Sequence, residues 1–524
     1  MEANDVAVVG SNHMGSEKVQ TPAHWWIRLK EPDYRRRVTM SLLIAWTIFI
    51  LGTSRSLNGS TFLDLQIITN TDVEAAAAFF TAYSVGFLIG SIFSGVISKK
   101  VNRSLTLFLG LIGIGGCAIV TPYCPVYIVM ILVRGSDGMF SGVVDTTSNA
   151  EHMRLWGDEG GTLLQLIHFA FSAGGLLSPL YTEPFLAPQL EETETNTTLL
   201  ASAELESSTT SNFTQDGGSV EAILNGAGHF VYNVSSRNVT HLEEVMFNST
   251  HHSETRARET DVHWAYLITG LLAIVGSIPL AWMFFRYRGV SEKRHSGQQS
   301  EVMDTTFRKL PRRLFAALMC LFVAYFVSYS CMEDTFISFL MTFAVLEFSS
   351  MTKSRAAYIN AIFWASSAAA RFFAIFVSRL LSPIRMLGLC AFFVCSSFIG
   401  LSLSAVFDST LALSIFVATS GLGLAAVMAS TLMFLESELL HITGPIASYI
   451  FVLNSLGKMV NPILLSFLME EISTMWYSYM LLIYFSTIAS IFLVLLVWNR
   501  SYLNKRFGFL RIGKEMFIVE GSGD

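Results

Sequence analysis

Gly174-Gly-Leu-Leu-Ser-Pro179 and Gly457-Lys-Met-Val-Asn-Pro462 are two versions of one pattern: a glycine five residues before a proline, with Ser or Asn just ahead of that proline. Each lies inside a long apolar run, in the matching part of its half of the chain. Small residues let helix backbones approach closely in a membrane, and a proline bends a helix whose freed backbone groups its neighbours can satisfy. The same kinked, close-packed helix in both halves implies internal duplication. Duplicated halves of a polytopic membrane protein point to a transporter.

Composition agrees. Of 524 residues, 52% are apolar and 14% are charged, and a spanning helix needs about 20 mostly apolar residues. Runs of that kind place twelve spans at roughly 38–62, 75–98, 104–121, 125–148, 161–186, 263–285, 314–340, 356–377, 386–406, 411–435, 444–468 and 475–498. The first is interrupted by Arg55 and Asn58. The expected fold is an all-α membrane protein with twelve transmembrane helices in two pseudo-symmetric six-helix bundles. Its parts are a tail over 1–37, an N-terminal bundle over 38–285, a linker over 286–313, a C-terminal bundle over 314–498 and a second tail over 499–524. The residues ahead of the first span are read as a cytoplasmic tail and not as a cleavable signal peptide.

Basic residues set the expected orientation. With both termini in the cytosol, 25 of the 34 Lys and Arg fall inside, five outside and four within spans. That asymmetry satisfies the positive-inside rule. The long loop 187–262 then lies outside, in the plasma membrane reading of the chain. It is rich in Ser, Thr, Asn and Glu, too polar to bury a core, and carries Asn-x-Ser/Thr sequons at Asn196, Asn212, Asn233, Asn238 and Asn248. Glycosylation is expected there, although so polar a loop also generates such triplets by chance.

The six cysteines have no metal-ligand spacing, and there is no P-loop, GxSxG elbow or zinc motif. ATP-driven pumping and hydrolytic chemistry therefore lack support, and neither a bound metal, a resident cofactor, an enzyme activity nor a nucleic-acid partner is expected. The expected partners are the lipid bilayer and a small solute, and the expected state is a monomer.

Ionisable groups inside spans cost at least about 2.5 kcal/mol at the bilayer centre, so they are functional candidates by default. Span four reads Arg134-Gly-Ser-Asp137-Gly138-Met-Phe-Ser141-Gly142-Val-Val-Asp145-Thr-Thr-Ser-Asn149. At 100° per residue, Arg134, Gly138, Ser141, Asp145 and Asn149 share one stripe, which must face helices or a cavity. Asp137 stands three residues after Arg134, a spacing that neutralises both. Asp145 has no ion partner at such spacing: it is either a functional acid or one satisfied by a neighbouring helix. Span five sets Gln165, His168 and Ser172 on one side; the histidine serves either a solute or a helix-to-helix hydrogen bond. In the second half, Glu333 lies in span seven, and Asn360, Trp364 and Arg371 share a face of span eight. Arg371 reads equally as an inter-helix ion-pair partner, Trp364 equally as packing, and Lys458 as a residue that snorkels or pairs with an acid. Together these groups supply carboxylate, amide, imidazole and indole functions. A hydroxyl-rich neutral solute such as a sugar needs donors, acceptors and an aromatic face to stack on, and fits best.

Several stretches resemble one family. Gly59-Ser-Thr-Phe-Leu-Asp64-Leu, Gly142-Val-Val-Asp145-Thr-Thr-Ser-Asn149, Leu155-Trp156-Gly157, Gln165-Leu-Ile-His168-Phe, Leu-Leu-Ser-Pro179-Leu, Met332-Glu333 with Phe336 and Phe339, and Phe363-Trp364 with Arg371 look like the sodium-dependent glucose transporters and the major facilitator superfamily domain-containing 4 proteins. Asp145, Asn149 and Lys99-Lys100 also resemble motifs of the more distant fucose–proton symporters. The resemblance implies the major facilitator fold and alternating access around a site lined by spans one, four, five, seven and eight. It further implies sodium-coupled uptake of a hexose, with glucose first. The implied substrate contacts are Asp145, Asn149, Gln165, His168, Glu333, Asn360, Trp364 and Arg371, and Asp145 with Asn149 would handle the coupling ion, sodium as a co-substrate. Proton-coupled and facilitative carriage of another polar solute stay open, as does a receptor on the same fold. Members of the glucose-transporter type tend to carry Gly-Glu-Met where Gly457-Lys458-Met459 stands here.

Overall fold

The computed structural model describes residues 31–97, 101–156, 160–188, 260–287, 311–439 and 444–507. The five sequons, Lys99, Lys100 and nearly all of the 187–262 loop lie outside these residues, and the backbone of Gln165 is described but not its side chain.

Among the described residues all regular structure is helical. Twelve long helices run in chain order: α1 Pro32–Ser60, α2 Val73–Ile97, α3 Arg103–Val120, α4 Tyr127–Trp156, α5 Gly160–Thr182, α6 His263–Tyr287, α7 Arg312–Glu347, α8 Lys353–Leu380, α9 Pro383–Val406, α10 Thr410–Phe434, α11 Gly444–Glu471 and α12 Trp476–Trp498. Eleven helices qualify as membrane spans by length and composition. The remaining one, α5, has 23 residues with Pro179 inside it and packs among the others. α1 stops two residues short of the expected span, and a short helix, Phe62–Thr69, follows. Near the end of α5, Pro184 enters a 3₁₀ turn over Glu183–Phe185, so the helix ends before residue 186.

Packing repeats between the halves. In the first, α1 lies on α5, α2 on α4 and α3 on α6; in the second, α7 lies on α11, α8 on α10 and α9 on α12. The duplicated motif sits at equivalent crossings. A Cβ added to Gly174 on α5 would overlap the Phe49 carbonyl of α1, and one added to Gly457 on α11 would overlap the Ser330 hydroxyl of α7. In each crossing a side chain of the facing helix donates to the glycine carbonyl: Thr53 Oγ1 to Gly174 at 3.2 Å, and Cys331 Sγ to Gly457 at 3.6 Å. Gly86 and Gly90 of α2 interlock with Gly138 and Gly142 of α4 so closely that any of the four side-chain carbons would strike opposing backbone. That contact seats the small residues of the span-four stripe against a helix. Large apolar residues such as Ile89, Leu132, Trp282, Phe373 and Val460 point outward, as a lipid-facing surface requires.

Among the described residues, three helix pairings make up most of the junction between the halves: α2 with α11, α5 with α8, and α1 with α7. The first two exchange under the duplication. We call the end bearing Ala187 and Thr260 the loop face. There Lys353 Nζ stands 3.5 Å from Asp64 Oδ1, Ser354 donates to Glu183, and the Glu74 N–H donates to Glu470 at 2.7 Å. Deeper, Asn360 Nδ2 donates to Ser60 at 2.9 Å and Thr81 Oγ1 to the Met459 carbonyl at 2.9 Å. The bundles therefore meet along the loop face and inward from it.

Candidate functional site

Below that seam, half-buried polar side chains from α4, α5, α7, α8 and α11 converge between the bundles. On α4, Asn149 Nδ2 donates both to Asp145 Oδ1, at 3.1 Å, and to the Asp145 carbonyl, at 3.0 Å. The two residues are one turn apart, so the helix itself makes this clamp. The cation whose field reaches the Asp145 carboxylate is Lys458 of α11.

Glu333 on α7 accepts from Lys458 Nζ at 2.7 Å through Oε2, while the Tyr329 hydroxyl approaches Oε1 at 3.4 Å. The carboxylate and ammonium are each about a quarter exposed. Of the two readings of Lys458, pairing holds and snorkelling does not, because α11 carries it at mid-length, far from either interface.

α8 faces α5. Arg371 Nη1 donates to the His168 carbonyl at 2.8 Å, and its guanidinium stands 5.8 Å from the Phe171 ring centre. Thus Arg371 bridges helices through backbone and ring, not through a carboxylate. His168 contributes its carbonyl to this bridge, and its half-buried imidazole stands in the fields of Arg371, Glu333 and His152. Trp364 is 2% exposed, edge-to-face with Phe171 at 5.7 Å and flat over Gly175, where a Cβ would enter the indole ring. The ring is wedged in place by packing, and among the described residues its buried Nε1 has no hydrogen-bond partner. Asn360 Oδ1 and Ser172 Oγ are likewise buried without one. Buried polar atoms are almost always satisfied, so these orphaned ones are candidate points of contact for a polar ligand.

Sequence reading missed one element. Arg55 of α1 pairs with Asp334 of α7 at 2.5 Å across the bundle interface, with side-chain exposures of 12% and 0%. The Tyr83 ring lies between Arg55, at 5.3 Å, and Arg134, at 5.4 Å. Arg134 in turn holds Asp137 at 2.9 Å, as the i,i+3 spacing required. Arg55 had registered only as an interruption of span one; as the sole charge deep in that helix it needed an acid from elsewhere, and that signal was present. A small apolar void of about 10 Å³ bordered by Ala374, Pro383 and Met433 holds none of these groups. Among the described residues no cluster of three or more His, Cys, Asp or Glu could hold a metal ion.

Two six-helix bundles related by duplication, with polar groups gathered between them, define the major facilitator transporter fold. Solved structures share it: the xylose transporter XylE of E. coli, partially occluded and inward open, has TM-score 0.57 at 10% identity, covering 88% of this chain and 98% of that one. The outward-conformation structure of the transporter FucP has TM-score 0.52 at 15% identity, covering 86% and 97%.

Residues 257–462 match the Major Facilitator Superfamily. The chain is 27% identical over 422 residues to sodium-dependent glucose transporter 1A of Mus musculus, covering 80% of this chain and 87% of the relative. It is 26% identical over 472 residues to major facilitator superfamily domain-containing protein 4A of Xenopus tropicalis, covering 83% and 87%. The resemblance read from the residues is borne out. This is a multi-pass membrane protein whose fold and relatives are those of transporters and not of enzymes.

Proposed function

We propose that the chain carries a hexose-type sugar across the membrane by alternating access, the bundles rocking about the cleft between α4, α5, α7, α8 and α11. The observation that supports this most is on α8: a locked indole whose N–H has no partner among the described residues, with the side-chain amide oxygen of Asn360 likewise unpartnered one turn away. A sugar presents exactly complementary chemistry, a C–H face for the ring and hydroxyls for the donor and acceptor. Asp145, Asn149, Gln165, His168, Glu333 and Arg371 complete the contacts we assign. Relatives named sodium-dependent glucose transporters favour glucose as substrate and sodium as co-substrate of Asp145 and Asn149. The Lys458–Glu333 pair favours a second reading, carriage without a coupled ion. With both termini cytoplasmic and the loop 187–262 outside, glycosylated and at the plasma membrane, the arrangement described is closed to the exterior. The domain divisions at 38–285, 286–313 and 314–498 and a monomeric carrier complete the reading.

The test is uptake of radiolabelled glucose, xylose and fucose into proteoliposomes, with sodium or choline as the external cation. Saturable uptake that Trp364→Ala weakens is expected. Absence of saturable uptake of all three, by protein whose folding is verified, would refute the sugar assignment.

A further inference from the structure

Away from the helix ends, the described spans hold four basic residues, Arg55, Arg134, Arg371 and Lys458, and four carboxylates, Asp137, Asp145, Glu333 and Asp334. Three ion pairs account for six of these: Arg134 with Asp137, Arg55 with Asp334, and Lys458 with Glu333. Arg371 bonds to a carbonyl, and Asp145 takes an amide from Asn149 within the field of Lys458. The interior is therefore neutral as it stands. Unpaired buried charge is strongly unfavourable, and in a chain that balances its own charges no imported cation is needed for neutrality.

Lys458 makes that balance. It pairs with the acid of α7 at 2.7 Å, and its field reaches the acid of α4 in the opposite bundle. Replacing it by an acid would leave two uncompensated negative charges in the cleft, a setting that draws in a hard cation with oxygen ligands. We infer that Lys458 is a tethered cation whose Nζ, paired with Glu333, takes the place of a co-transported cation, so that this carrier moves its solute without sodium or proton coupling. The inference rests on the carrier reading above for the word solute, but not for the cation site.

Electrostatics also gives the tether a role in the cycle. Lys458 travels with the C-terminal bundle, as does Glu333, so their pair survives rocking, whereas the attraction to Asp145 crosses the bundle interface. A mobile ion would leave with the solute. A tethered one returns the same neutral interior to each orientation of the carrier.

The experiment has a solute-independent arm and a transport arm. Purified full-length protein, Lys458→Glu and Lys458→Met are melted in NaCl and in choline chloride at about 0.15 M. The parent chain should melt alike in both salts, and each variant should gain a sodium-specific rise on the order of 2 °C or more, because a cation that binds only the folded state stabilises it. In proteoliposomes, hexose uptake by the parent chain should be the same with sodium or choline outside, and with or without a protonophore. Lys458→Met should make uptake cation-dependent. Sodium-specific stabilisation of the parent chain, a parental uptake that requires sodium or a proton gradient, or no sodium response in either variant would each overturn the inference. If no hexose moves in any protein, the sugar reading fails and the melting arm alone decides the role of Lys458.

Discussion

Asp334→Asn should open the loop face. The Arg55–Asp334 pair links α1 to α7 at 2.5 Å and is nearly dry. Removing one partner of a buried pair costs about 3–5 kcal/mol, mostly because the other charge is stranded. Arg55 retains 12% exposure and its contact with Tyr83, so we take about 2–3 kcal/mol here. The interface between bundles is where water can relieve a stranded guanidinium, and only by their separation. The substitution should therefore shift the balance of loop-face-closed to loop-face-open molecules roughly 30- to 150-fold toward open. Glu74 and Glu470, joined in the closed arrangement by a 2.7 Å hydrogen bond, supply the assay. With both changed to cysteine in a background lacking other reactive thiols, a short bifunctional reagent should cross-link the parent chain efficiently and Asp334→Asn poorly. Replacing the pair together, Arg55→Met with Asp334→Leu, strands no charge and should recover much of the cross-linking. Equal yields in the parent and Asp334→Asn, with protein abundance matched, would refute the assignment of this pair as a closure element.

Gly174→Val and Gly457→Val should both reduce folded protein by overpacking of about 1–3 kcal/mol or more, since each glycine abuts a facing helix; solubilised, monodisperse protein measured by size exclusion checks this, and parental yield for either would contradict the shared crossing. Trp364→Ala should lower abundance, because a buried ring is truncated, and in the molecules that do fold should raise the half-saturation concentration for hexose about 5- to 150-fold through a lost contact of about 1–3 kcal/mol; an unchanged value in folded protein removes the indole from the site. At the loop face, burial pushes the Asp64 carboxyl above its ordinary range, against the opposing effects of Lys353, the Ala187 N–H and the Thr260 hydroxyl. A raised folded-state pKa gives stability present below the unfolded value of about 3.9 and lost as pH rises through the folded one. Melting temperature should accordingly contain a component that falls with rising pH above 3.9 or so, and Asp64→Asn, which keeps an acceptor for Ala187 and Thr260, should flatten it.

Much of this fold is legible in the sequence because a bilayer demands it. Apolar runs gave all twelve helices, and the repeated glycine–proline pattern marked α5 and α11, the two helices that exchange under the duplication. Local rules also read the interior of α4 well: the Arg134–Asp137 spacing makes an ion pair, and Gly138, the glycine of its stripe, faces α2. Partners distant in sequence were harder. Nothing in spacing joins Arg55 to Asp334, 279 positions away, or Lys458 to Glu333, 125 away. Asp64 was noticed as part of a motif, but not as the residue that accepts from both ends of the long loop, Ala187 and Thr260, while standing beside Lys353. Such contacts depend on how the two bundles dock, which hydrophobic periodicity does not encode.

Docking also explains why position 458 carries so much consequence. Within the duplication, the residue after the motif glycine is Gly175 in one half and Lys458 in the other. In α5 that position must be vacant, because the Trp364 ring of the opposite bundle fills the space a Cβ would need. In α11 the equivalent place holds a long side chain that reaches Glu333 instead. One half thus presents an aromatic wall and the other a charged arm, from positions that began as equivalents. On the proposed sugar reading, that difference matches a solute with an apolar face and polar edges. The duplication supplies two equivalent helix crossings, and divergence at the residue beside each motif glycine makes their surroundings chemically different.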